Sequence, residues 1–306
     1  MKEQNPSMTA LVTARMRTTH TLVDPDPLLD DPWGGKLAPA SDLASSIYND
    51  KSASPDRVMT AEAIDEFLRA SPAYANVIVR QWYTEAALRT AISAGVRQYV
   101  LIGAGFDSYA CRRPVEAQDL EIFEVDHPST QAFKRKRLTE CGVAHDERLH
   151  FISADLGHES LESALSRSAF NPREPAFLSW LGVTMYLSRE ANMSTLESVA
   201  RCCAPCSQLV FSYVDQVIFA PDPSADLQDI AILKERVKSV GEPMVSGFDP
   251  ASLENDLRSI GLELEEDVDD LQILQRCDPT GVNRLRSSSI SRIAYARVTE
   301  GWQARQ

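Results

Sequence analysis

From Tyr99 onward, short apolar runs alternate with helical windows, and that rhythm leaves few folds open. The runs fall at residues 99–102, 120–125, 149–153, 176–181 and 209–214. Largely apolar runs of this length are what strands buried on both faces look like. The windows between them, above all 129–140, 159–167 and 189–203, are long enough for crossover helices. Strand, helix, strand repeated in this way predicts a doubly wound, mostly parallel α/β sheet. Two further candidate strands, 262–267 and 291–298, bring it to seven. The stretch at about 217–249, with helical patches and prolines, reads as an insertion over the ligand-binding edge of that sheet.

The chain before Gly95 reads differently. Residues 10–20 carry no breaker, and the Asp-Pro-Asp-Pro at 24–27 and the Asp-Asp-Pro at 30–32 force a loop. Ile64, Phe67 and Leu68 mark a helix over 57–69, and Ser71-Pro72 reads as a cap and first-turn pair for the next one. Tyr74, Val77, Ile78 and Trp82 share a face of that helix, and Gly95 stops it. Residues 1–95 are thus expected to form a helical cover on a ligand-binding α/β unit at 96–306, together one compact body.

Charge narrows the function. Among 306 residues, 31 Lys and Arg stand against 44 Asp and Glu, a net −13. Such a surface repels phosphate backbones and anionic lipid, so nucleic-acid and membrane-surface binding are not expected. No stretch approaches the roughly 18 apolar residues of a membrane span. The opening residues lack the apolar run of a signal peptide, which points to the cytosol. The six cysteines make no disulfide framework and are expected reduced. Ten acids against Arg258 alone between 241 and 275 read as a solvated face, and Lys134-Arg135-Lys136-Arg137 as the wet face of a helix.

The chemistry lies at the strand ends. The first strand runs into Gly103-Ala104-Gly105-Phe106-Asp107-Ser108, where glycines let the backbone turn sharply and approach a ligand. Ser108 stands where a dinucleotide fingerprint has its third glycine, which counts against NAD. The second strand ends in Asp126, an acid placed to accept from two ribose hydroxyls, and the third in Asp155-Leu156, an acid and an apolar side chain for an adenine. Each acid alone could equally cap a helix. Together the three strand ends outline a nucleoside site without a phosphate cradle, which suits S-adenosylmethionine better than ATP or NAD.

Several motifs carry a resemblance. The residues from Ile102 to Ser108, Cys111-Arg112-Arg113-Pro114, Glu124-Val125-Asp126-His127-Pro128, Val79-Arg80-Gln81-Trp82-Tyr83, Asp30-Asp31-Pro32 and the run from Trp180 to Leu187 together resemble the leucine carboxyl methyltransferase family. The likeness spans roughly residues 10–215. It implies a class I, Rossmann-like fold, S-adenosylmethionine as cofactor, and O-methylation of a small-molecule carboxylic acid, the bacterial branch being tied to secondary metabolism. It also implies Gly103 and Gly105 facing the cofactor, Asp126 on the ribose, Asp155 and Leu156 on the adenine, and Arg80 on the methionine carboxylate. Arginine is apt there because its planar fork pairs with a carboxylate bidentately. Arg17 falls where other members carry a basic residue near the active site, though it could be an exposed helix charge. Tyr186 is expected to line the acceptor pocket or to be a core tyrosine with a satisfied hydroxyl. Many members have a glutamate where Leu181 stands, so one polar cofactor contact is missing here.

Other candidates are weaker. Cys202, Cys203 and Cys206 have roughly zinc spacing but no evident fourth ligand, so no metal is expected. His127 follows Asp126 and is expected to be structural rather than a general base. Three rival readings stay open: a hydroxyl-directed O-methyltransferase, an NAD-dependent oxidoreductase, and a non-catalytic module that keeps the fold.

Overall fold

The computed structural model describes residues 6–47, 60–220 and 228–300. The first helices are α1 (Met8–Val23), α2 (Trp33–Leu37), α3 (Ala40–Ile47), α4 (Ala61–Arg69) and α5 (Tyr74–Ser93). The alternating region follows as β1 (Gln98–Ile102), α6 (Tyr109–Arg112), β2 (Glu121–Asp126), α7 (Pro128–Glu140), β3 (Leu149–Ser153), α8 (Leu161–Ser166), β4 (Ala176–Trp180), α9 (Arg189–Cys202) and β5 (Gln208–Val214). The chain then runs through α10 (Gln228–Ser239), α11 (Pro250–Ser259), β6 (Leu262–Asp269), α12 (Asp270–Cys277) and β7 (Ser291–Val298). Residues 221–227 of the expected insertion, and 57–59 of the helix expected at 57–69, lie outside the described residues.

The strands form one sheet in the order β3-β2-β1-β4-β5-β7-β6. β1 to β5 pair in parallel, and β7 lies antiparallel between β5 and β6. Chain order reverses between β1 and β4, and a crevice opens at such a point beyond the carboxyl ends of the strands. The burial that holds this sheet follows the period of two. In β1, Tyr99 and Leu101 pack with Val79, Leu88 and Ile273 from α5 and α12. Val100 and Ile102 pack with Leu161, Leu196 and Leu253 from α8, α9 and α11.

A third core joins α1, α2, α4 and α5 through Leu11, Met16, Leu37, Ile64, Val77 and Ile78, and it takes in Phe106. Phe106 belongs to the loop after β1, so its burial seats the helical cover on that loop. Burying a Phe side chain contributes roughly 1.5–3 kcal/mol.

Three expectations are corrected. α5 starts at Tyr74 with Ala73 at its cap position, because Ser71 and Pro72 are spent on the turn out of α4: the Tyr74 N–H donates to the Ser71 carbonyl at 3.0 Å. Lys134 is not on a wet face: it is buried, and its Nζ lies 2.6 Å from the equally buried Glu124 Oε2. The acid run is not simply solvated either. Asp267 pairs with Arg292, Glu266 with Arg276, and Asp270 is fully buried.

Candidate active site

The loop after β1 is shaped by its two glycines. Gly103 has φ +68°, and a Cβ there would come within 2.4 Å of Val183 Cγ2, from the loop after β4. Any side chain would wedge the two loops apart. Backbone N–H groups of Gly103 and Ala104 donate to the Val125 carbonyl at 2.8 and 3.1 Å, which fixes the loop against the end of β2. Gly105, φ +50°, donates its N–H to Asp126 Oδ2, and the His127 N–H donates to Oδ1 at 2.6 Å. Asp126 thus stands at the crevice with each oxygen anchored once and lone pairs left over. Burial raises its carboxyl above the ordinary value, although those two N–H groups and the charges of Lys134 and His127 pull the other way.

Asp155 lies one strand further out and is nearly half exposed. Burial works to raise its carboxyl, but the Gly157 N–H and His158 outweigh it and hold it below the ordinary value. The Gly157 N–H reaches Oδ1 at 3.0 Å and His158 Nδ1 reaches Oδ2 at 2.9 Å. Leu156 packs on the edge of the core beside it. Neither acid caps α7. His127 does so through Nδ1, which accepts from the Ser129 N–H at 3.3 Å.

Arg80 crosses from α5 to the end of β4. Its Nη1 donates to Asn76 Oδ1 at 3.0 Å, and its guanidinium lies against Gly182. Among the described residues no carboxylate is within ion-pair distance of it. Burial lowers its pKa to about 10, so it stays charged at neutral pH. A sheltered cation without a carboxylate fits a ligand that brings one.

Arg17 is put to another use than facing a ligand in solvent. It is buried, its Nε bonds Asp31 Oδ2 at 2.7 Å, and its Nη2 donates to the Phe106 carbonyl at 2.7 Å. Any acceptor would have to share it with Asp31. Asp31 is a hub: the Ser108 hydroxyl donates to Oδ1 at 2.6 Å, Arg112 lies at 3.6 Å, and the Gly34 N–H adds a bond at 3.0 Å. Burial would raise this carboxyl, yet Arg17 and Arg112 hold it below the ordinary value. Ser108 therefore has a reason to stand where a dinucleotide fingerprint has glycine. The sequence flagged Asp31 only through the Asp-Asp-Pro motif, with no hint of its partners.

Tyr186 stands where the cover and the insertion meet. Its ring packs beside Met185, Ile218 and Phe219, and burial pushes its hydroxyl up to about 12 while the bond to Thr9 opposes that. Glu242 holds the start of α1 beside it, accepting from the Thr9 N–H at 3.3 Å and from the Met8 N–H at 3.0 Å. Leu181 turns away into the apolar cluster on the α5 side of the sheet. A shallow depression of about 650 Å³ beside the end of β5, lined by Arg189, Asp215, Phe219 and Ser246, contains none of the strand-end residues and is not this site. No metal-binding group of three or more ligands occurs among the described residues.

Residues 10–200 match the family model for leucine carboxyl methyltransferase. The Bacillus subtilis protein YktD, whose name assigns it provisionally to the S-adenosyl-L-methionine-dependent methyltransferases, is 28% identical over 297 residues, covering 91% of this chain and 95% of its own. A Mycolicibacterium smegmatis protein with the same provisional assignment is 31% identical over 214 residues, covering 69% and 68%. A DUF574 family protein from Streptomyces avermitilis shares the fold at TM-score 0.54 and 16% identity, over 94% of this chain and 97% of that one.

Proposed function

This chain belongs to the leucine carboxyl methyltransferase family, an S-adenosylmethionine-dependent methyltransferase by its relatives, and from that premise we propose that it forms a methyl ester on the carboxylate of a small-molecule acid. When bound, the cofactor supplies an electrophilic methyl on a sulfonium. On this reading Asp126 accepts from the ribose hydroxyls, Asp155 and Leu156 take the adenine, the Gly103–Gly105 turn admits the backbone close to the ligand, and Arg80 grips the methionine carboxylate.

The observation that carries the carboxylate reading is Tyr186. Burial keeps its hydroxyl protonated at neutral pH, as an ordinary tyrosine's is, so it offers the acceptor a hydrogen-bond donor and no base. It can donate a hydrogen bond to an anion. A carboxylate is ionised already, so the protein needs to orient it and exclude water rather than deprotonate it. His127 is engaged by Ser129 at Nδ1 and faces Asp155 from 3.9 Å at Nε2, which supports a structural part for it. The bonds from the Met8 and Thr9 N–H groups to Glu242, with Thr9 also bonded to Tyr186, support an acceptor pocket walled by α1 and the insertion. Among the described residues no helix is long and apolar enough to cross a membrane, and all six cysteines are free thiols. We place the reaction in the cytosol, on an acid of secondary metabolism.

Incubation with candidate acids and cofactor, read by mass spectrometry for one added CH₂ and by loss of the product to mild ester hydrolysis, tests this reading. With a carboxylate acceptor and saturating cofactor, so that the titration of Asp270 does not limit binding, the pH–rate profile should be flat from about pH 6 to 8.5. A limb near pH 6.5 that vanishes in His127→Ala would instead indicate a histidine base and a hydroxyl acceptor.

A further inference from the structure

A buried carboxylate and a half-buried guanidinium face each other across one amide. Asp270, the first residue of α12, has no solvent exposure, and among the described residues no cation lies within ion-pair distance of it. Arg80 has the complementary lack. Asn76 sits between them: Nδ2 donates to the Asp270 carboxylate at 3.0 and 3.3 Å, and Oδ1 accepts from Arg80 Nη1 at 3.0 Å. The amide can lie only one way round, since reversing it would set its NH₂ against the guanidinium and its oxygen against the carboxylate. Ser287 adds a hydroxyl bond of 2.7 Å to Asp270 Oδ2.

Direct pairing would be the ordinary way to bury these two charges, and it would close the arginine fork. Interposing the amide leaves Asp270 close enough to offset the charge of Arg80, yet occupies only one N–H of the guanidinium. The remaining N–H donors stay free for an incoming carboxylate, and the held N–H fixes the plane of the fork.

We propose that Asn76 and Asp270 are positioning residues that preset Arg80 for the carboxylate of the cofactor. This rests on the reading that Arg80 takes that carboxylate. Asp270 acts through Asn76, and Asn76 through Arg80, across a sequence separation that no local motif spans.

The test compares two probes by titration calorimetry at about pH 8, where Asp270 is ionised. S-adenosylhomocysteine carries the amino-acid carboxylate, and 5′-methylthioadenosine lacks it. Asn76→Leu and Asp270→Asn should weaken S-adenosylhomocysteine roughly tenfold, the size of a charge-assisted hydrogen bond, and leave methylthioadenosine within about twofold. In an Arg80→Ala background neither change should add to the loss. Equal weakening of both probes by Asn76→Leu and Asp270→Asn, or additive losses, would show that the two residues act only on the fold and would overturn the proposal. If Arg80→Ala is selective for the carboxylate-bearing probe while the other two variants are not, this inference fails alone. If Arg80→Ala is itself unselective, the reading of Arg80 fails and this inference falls with it. Asp270→Asn preserves the side-chain shape and keeps the test open should a larger change at that site prevent folding.

Discussion

The guanidinium of Arg80 lies so close over Gly182 that a Cβ on the glycine would sit 2.6 Å from Nη2 and 2.8 Å from Cζ. Gly182 also has φ +68°, a conformation in which a side chain is strained before it meets anything. One residue at the end of β4 therefore decides whether the arginine can reach the crevice. Gly182→Ala should destabilise the fold by about 1–2 kcal/mol from the backbone alone. It should also displace the guanidinium, so that S-adenosylhomocysteine loses more affinity than methylthioadenosine. Thermal melts and paired titrations check this, and an equal loss on both ligands would mean that Arg80 can shift without consequence.

Asp126 and Asp155 should differ in weight. Asp126 is anchored by two backbone N–H groups in a sheltered crevice, whereas Asp155 is nearly half exposed. Asp126→Ala should cost about 1.5–3 kcal/mol of binding, and for both probes, because both carry the ribose. Asp155→Ala should cost less, screened by water. Calorimetry showing unchanged affinity in Asp126→Ala would take that residue out of the site.

The Arg17–Asp31 pair should matter first for stability. Removing one partner of a buried ion pair leaves the other charge stranded, at a cost of about 3–5 kcal/mol. Arg112 and Ser108 remain around Asp31, so Arg17→Ala should fall at or below the lower end of that range. Denaturant unfolding reads this directly. A variant with full stability and a raised KM for the acceptor would return Arg17 to the substrate side.

Asp270 also predicts a pH dependence. Burial pushes its carboxyl up to about 7 against the pull of Ser287, Asn76 and Arg80, with the Asp269 charge adding to the rise. The folded state then holds a proton that the unfolded state has already released. Between about pH 4 and 7, stability should fall as pH rises and level off above that. Asp270→Asn should flatten part of this decline in melts run from pH 5 to 8. The slope that remains comes from Glu124, which burial also raises to about 7 despite Lys134, and from Asp126, which burial raises as well. An unchanged slope in the variant would place the Asp270 pKa near its ordinary value.

Much of this was legible in the chain. Apolar runs buried on both faces could only be interior strands, and their spacing left room for crossover helices and nothing else. β3 and β7 match the expected residues, and the other strands differ by only a residue or two at an end. The placement of Gly103, Gly105 and Asp126 was readable because their geometry is local: a turn and the last residue of a strand lie where the strand puts them.

Charge was not legible in the same way. Arg17 read as a basic residue near the active site or an exposed helix charge, Asp270 as one acid in a run of ten, and Lys134 as one of four cations in a row. Their burial and partners depend on which elements pack together, and a buried charge is tolerated only where a distant residue meets it. Asn76 meets Asp270 across 194 positions and Arg17 meets Phe106 across 89. Composition and periodicity determined the sheet and its glycine-lined edge, because hydrophobic burial is a property of each residue and its near neighbours. The family motifs pointed to Arg80, but only the tertiary structure decided how that cation is held, because that depends on which carboxylates the fold brings within reach and which it holds one amide away.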